Sequence, residues 1–166
     1  TNYHTAPICS ASRAAMLTGR NPHTVHIGGH ATAAREGFLA HDARIPAGAG
    51  TIAANLHAAG YATFALGKWD HLPNEDPVLY RGTTPVMKPK GADYHVSADL
   101  ADQAIAMIDQ RSAAGEQGRA RPFFMYWATG AAHAPHHAPK EWIERYKGKF
   151  DQGWDRLREE SFKRQL

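Results

Sequence analysis

The chain of 166 residues is 43% hydrophobic and 21% charged, the mix of a globular domain able to bury a core. Its net charge of +3 comes from Lys and Arg scattered along the sequence, which excludes the clustered basic footprint of a nucleic-acid binder and suits an anionic ligand. A single cysteine excludes an internal disulfide, and no apolar run approaches the roughly 20 residues of a membrane span.

In chain order, residues 1–9 read as an extended approach to a turn. Ser10 to Thr18 have helical composition, with Gly19 as the stop. Residues 20–50, rich in Gly, His, Ala and Pro, read as loop. Thr51 caps a short helix that Gly60 closes, and Tyr61 to Leu66 is an apolar run read as a buried strand. That strand delivers Lys68 at its carboxyl end. Residues 70–95 read as loop. Ser97 opens a helix to about Ala114, with Leu100, Ala104, Met107 and Ile108 on one face. After a polar connection at 115–121, Pro122 leads into Phe123–Trp127, a second buried strand. The loop Gly130 to Ala138 carries His133, His136 and His137. Pro139 starts a helix through about Lys147, and Trp154 to Gln165 is a last, charged helix. Helix, Gly, strand repeated twice implies an α/β fold with a largely parallel sheet, whose ligands bind beyond the carboxyl ends of the strands.

The segment Pro7-Ile8-Cys9-Ser10-Ala11-Ser12-Arg13, continuing to Leu17-Thr18-Gly19-Arg20, carries the most chemistry. It puts a thiol at the amino end of a helix, where free N–H groups and the dipole favour an anion. Arg13 follows one turn later on the same side. On residue chemistry alone Cys9 is either an activated thiol or a buried inert one. Lys68 reads equally as a surface lysine. His133 with His136 and His137 gives a weak zinc pattern that lacks an acidic partner. His23, His26 and His30 read as loop histidines.

That segment resembles the signature of the type I sulfatases, Cys-x-Pro/Ala-Ser-Arg followed by Leu-Thr-Gly-Arg, with Ala11 where Pro is typical. Gly60-Tyr61-Ala62-Thr63-Phe64-Ala65-Leu66-Gly67-Lys68-Trp69 is similar to a second block of that family. Pro122-Phe123-Phe124 through Ala132-His133-Ala134-Pro135-His136 is similar to a third. His41-Asp42-Ala43-Arg44-Ile45-Pro46 with Thr51-Ile52-Ala53 matches the family's link into its next helix. The blocks occur in family order across nearly the whole chain.

The resemblance implies a partial alkaline-phosphatase-like sandwich and hydrolysis of sulfate monoesters, on small molecules or sulfated glycans. Cys9 is then oxidised to formylglycine by a formylglycine-generating enzyme. One hydroxyl of its hydrate attacks sulfur and also ligates a divalent cation, usually Ca2+; the other allows sulfate to be expelled. Arg13 holds the hydrate, Lys68 binds sulfate oxygens, and His133 binds sulfate and protonates the leaving group. A second His is expected two residues after the Lys. That position is Asp70; either a local shift lets His71 serve, the reading taken here, or the chain has lost the residue. The paired Asp and Asp-Asn/Gln ligands of the family's metal have no counterpart here, which leaves Cys9 as the one metal ligand. Lacking an initial Met, the chain is read as an internal piece of a catalytic domain, truncated at both ends. Periplasmic, secreted and cytoplasmic locations all stay open. Rival readings are a phosphonate or phosphate monoester hydrolase of the same superfamily, a non-catalytic fragment, and a thiol-dependent binding protein.

Overall fold

The computed structural model describes residues 5–30, 33–35, 37–68, 79–82, 84–86, 94–134 and 136–166. They fall into two compact units, Thr1–Ala131 and Ala132–Leu166. The first unit contains α1 (Cys9–Thr18), α2 (Ile52–Ala58), β1 (Ala62–Gly67), β2 (Leu79–Arg81), β3 (Thr84–Val86), α3 (Val96–Ala113), α4 (Gly115–Ala120) and β4 (Phe123–Ala128).

Local signals set most of these boundaries. α1 ends where Gly19 takes the left-handed conformation, φ 67°, and gives its N–H to the Ala15 carbonyl. Its start lies one residue earlier than Ser10, so Cys9 is itself the first helical residue and Ile8 precedes it without a side-chain cap. The Thr51 hydroxyl accepts the N–H of Ala54 at 3.1 Å and caps α2. β1 and β4 pair in parallel, from Ala62 opposite Phe123 to Gly67 opposite Ala128. β1 begins and ends one residue later than the sequence indicates, whereas β4 begins at Phe123 as expected and ends one residue later. The link between them runs through β2, β3, α3 and α4, the long crossover that a parallel pair requires. Leu17 of α1, Ala53 of α2, Thr63 and Ala65 of β1 and Tyr126 of β4 line one small cleft. Those helices therefore face the Thr63–Ala65–Tyr126 side of the sheet. Arg111 of α3 lies 5.0 Å over the Phe123 ring, which belongs to the other side.

Four expectations are corrected. The two strands are not uniformly buried: Leu66 and Ala128 are, but Phe123 is 39% and Trp127 49% exposed. Among the described residues each strand has one strand neighbour, so its other flank carries no cover from this sheet. Part of 70–95 forms the antiparallel hairpin β2–β3, with Leu79 opposite Val86. Its strands are short and mostly exposed, too short for a period of two to show. Part of 115–121 is the helix α4, masked in the sequence by Gly115 and Gly118. His95, not Ser97, caps α3, its Nδ1 accepting the Ser97 N–H at 3.3 Å.

The stretch 20–50 is irregular but packed. Val25 is fully buried and joins Ala14 and Ile27 in a core cluster, with Ala43, Ile45 and Ala49 against it. Among the described residues, 3-10 turns at Pro22–Val25, Leu39–His41 and Ala47–Ala49 shape this segment. Buried irregular backbone must still pair its polar groups. Ile27 N–H bonds Pro22 O at 2.8 Å, Gly28 N–H bonds Ala40 O at 2.9 Å, and Ala43 N–H bonds His26 O at 3.1 Å.

The second unit holds α5 (Lys140–Tyr146) and α6 (Trp154–Gln165). Pro139 stands just ahead of α5 rather than inside it. Neither helix has a buried residue. Aromatic rings are exposed and carry cations, with Arg145 4.5 Å over Trp142 and Lys149 4.9 Å over Tyr146. Among the described residues no helix is long and apolar enough to cross a membrane.

Candidate active site

Cys9 is half-buried at the first position of α1. The first turn behind it holds no acidic residue and no side-chain cap. Its N–H groups therefore form a mildly positive mouth, as helix starts do. Arg13 lies one turn along, half-buried. Its Nη1 donates to the Tyr126 hydroxyl oxygen at 2.7 Å, and its Nε is buried without a hydrogen-bond partner. An unpaired buried N–H on a cation is costly, and it offers a bound anion a donor to meet.

Lys68 leaves the end of β1 half-buried, its backbone N–H donating to Ala128 O at 2.6 Å. The turn that launches it depends on Gly67, which has φ 91° and whose added Cβ would collide with the Ala128 carbonyl oxygen. Tyr126 precedes Ala128 by two residues on the same face, about 7 Å along the strand. Through Tyr126, α1 and Arg13 are tied to the same strand end that positions Lys68. Cys9, Arg13 and Lys68 thus belong to one unit, and Arg13 and Lys68 are both held by β4, at Tyr126 and Ala128.

His133 belongs to the second unit and is exposed. Its Nδ1–H donates to the Ala134 carbonyl at 2.7 Å, which leaves Nε2 as the other ring nitrogen. Asp70 and His71 lie outside the described residues. Reading the sequence missed Tyr126 as a site residue. A phenol inside the apolar run Phe123–Trp127 was the available signal, because its polar tip needs a partner. The sequence also gave His26 no role. Its Nδ1–H donates to Asp42 Oδ2 at 3.0 Å, and His26 itself holds φ 66°. The Asp42 carboxyl is held below its usual range, first by the Arg44 backbone N–H on Oδ1 and then by His26, against opposing desolvation.

A calcium ion takes six to eight oxygen ligands. Among the described residues no group of three His, Cys, Asp or Glu could hold a metal ion. The described residues around Cys9 fit an anion and do not fit such a cation.

The family model described as Sulfatase matches residues 1–165. An uncharacterized sulfatase of Schizosaccharomyces pombe is 25% identical over 208 aligned positions, covering 95% of this chain and 35% of that protein. This alignment is longer than the chain, so that relative carries insertions. The arylsulfatase of Klebsiella aerogenes is 27% identical across 92% of this chain and 39% of its own length. The N-acetylgalactosamine-6-sulfatase of Homo sapiens is 28% identical across 86% of this chain and 34% of its own. The chain spans little more than a third of the length of these relatives.

Proposed function

Because this chain belongs to the sulfatase family, we propose that it is part of the catalytic domain of a sulfuric ester hydrolase whose nucleophile is made from Cys9. The observation that carries this reading is the mouth of α1. Cys9 stands at an uncapped helix start, and Arg13 is one turn on with a buried, unpartnered Nε. The parallel sheet flanked by helices is the alkaline-phosphatase-like architecture of the family.

Each residue has a task that its chemistry suits. The α1 N–H groups and Arg13 receive negative charge on the reacting group without having to reorganise. Lys68, at the carboxyl end of β1, adds a point charge for sulfate oxygens. His133 gives a proton from Nε2 to the leaving oxygen. His71 is the second imidazole of this proposal. Formylglycine made from Cys9 supplies two hydroxyls on one carbon, which neither Cys nor Ser offers. The modification implies a formylglycine-generating enzyme as partner. A divalent cation would need carboxylates beyond the described residues. The relatives named arylsulfatase and N-acetylgalactosamine-6-sulfatase support a sulfate monoester as substrate.

The test uses the full-length protein co-expressed with a formylglycine-generating enzyme. Mass spectrometry should find Cys9 converted, and the protein should release sulfate from an aryl sulfate. Cys9→Ala should abolish turnover, and Cys9→Ser should leave at most a trapped sulfate ester. Arg13→Ala and Lys68→Ala should each cost roughly 10²–10³ in rate. His133→Ala should hurt most with poor leaving groups. Equal sulfate release by protein with unmodified Cys9 would overturn the proposal.

A further inference from the structure

We infer that Tyr126 is the positioning residue for Arg13: its hydroxyl holds the guanidinium in one place between α1 and β4 while leaving its charge whole. The inference rests on the sulfatase reading and extends it to a residue outside the signature segment.

An arginine on a helix surface has a long stem with many rotamers. To stabilise a developing anion it must be held before the reaction, because reorganisation during the reaction costs rate. Tyr126 supplies the hold, accepting from Nη1 at 2.7 Å. The phenol has few rotors of its own and stands in the cleft with Leu17, Ala53, Thr63 and Ala65. It is also registered in the sheet, directly opposite Ala65. Two residues further on, Ala128 accepts the backbone N–H of Lys68. One strand therefore sets the position of both cations, one through a side chain and the other through the main chain.

The type of partner matters as much as its place. A carboxylate at 126 would hold Arg13 more tightly but would neutralise it and repel a sulfate. A phenol is a neutral acceptor, so the charge stays available. It engages one of the five guanidinium N–H donors. Arg13 forms no ion pair among the described residues, and its Nε remains buried and unpaired. The anchored arginine is thus still short of a partner, as a residue waiting for an anion should be.

The experiment is a double-mutant cycle in the full-length, formylglycine-bearing protein, with rates expressed per formylglycine. Tyr126→Phe keeps the ring and removes the oxygen. It should lower kcat/KM by roughly 10- to 100-fold, the worth of a hydrogen bond to a charged group, with Cys9 conversion and melting temperature unchanged. In an Arg13→Ala background the same change should cost less than about twofold, because the two residues act as one unit. A full-size effect that persists without Arg13 would overturn the inference, and so would an effect confined to melting temperature or Cys9 conversion. Should Tyr126→Phe be insoluble, Tyr126→Met fills the cleft without an oxygen and is read in the same cycle. Cys9→Ala is run alongside. If it retains turnover, the sulfatase reading fails. If it is inactive while Tyr126→Phe is as fast as the parent, the role of Tyr126 alone is overturned.

Discussion

Arg13 and Tyr126 stand 113 positions apart in the chain, and their bond shows what single residues do and do not announce. Cys9 and Arg13 were legible because their relation is local, one helical turn. Tyr126 was not, because its partner comes from another element. Tyr94 is the local contrast, with its partner five residues away. Its hydroxyl donates to Asp99 Oδ2 at 2.8 Å, and Gln103, itself bonded by Arg81, donates to Asp99 Oδ1 at 3.2 Å. Burial, and then the Asp99 hydrogen bond and charge, push the Tyr94 pKa up to about 12. A raised pKa contributes stability that is fully present below the unfolded value of 10.0 and is lost as pH rises through about 12. Absorbance at alkaline pH should show one phenol ionising late, and Tyr94→Phe should remove that step. A titration in which Tyr94→Phe removes a step near the ordinary tyrosine value would contradict the network.

Among the elements, the helix–Gly–strand pattern was read correctly because caps and stops act over a few residues. Thr51 caps α2 and Gly19 ends α1 as their chemistry dictates. The hairpin β2–β3 and α4 escaped because their segments are short, mostly exposed and rich in Gly or Pro. The strand end at Gly67 offers a test. Gly67 and Gly60 both hold positive φ, 91° and 93°. A Cβ at Gly67 would strike the Ala128 carbonyl, whereas one at Gly60 would meet nothing within 4 Å. Both alanines bear the cost of positive φ, about 1–2 kcal/mol. Gly67→Ala should cost at least about 2 kcal/mol more than Gly60→Ala, because two backbones must part. Denaturant unfolding of the two variants measures the difference. Equal losses would show that the close approach at Gly67 is unimportant.

In the molecule as a whole, the first unit holds its buried cluster between α1 and the irregular 20–50 stretch, at Ala14, Val25 and Ile27. The second unit leaves Trp154 80% and Phe162 59% exposed. Two paired strands are a small sheet, and three or more are usual for an independently stable one. The described carboxylates do not gather into a metal site. Because the paired Asp ligands of the family's metal have no counterpart in the sequence, calorimetric titration of this chain by itself should show no saturable calcium binding tighter than about millimolar. Stoichiometric micromolar binding would disprove that. The sequence by itself determined the family, the α/β class, the helix that presents Cys9 and Arg13, and the strand that launches Lys68. These rest on motifs and caps whose parts lie within a turn or two of one another. Tertiary structure alone decided that Arg13 is anchored by Tyr126, that a Gly- and His-rich stretch packs a core, and that both strands keep exposed side chains. Each of these depends on contacts between residues far apart in the chain, where burial and register are set by the partner element and local composition is silent.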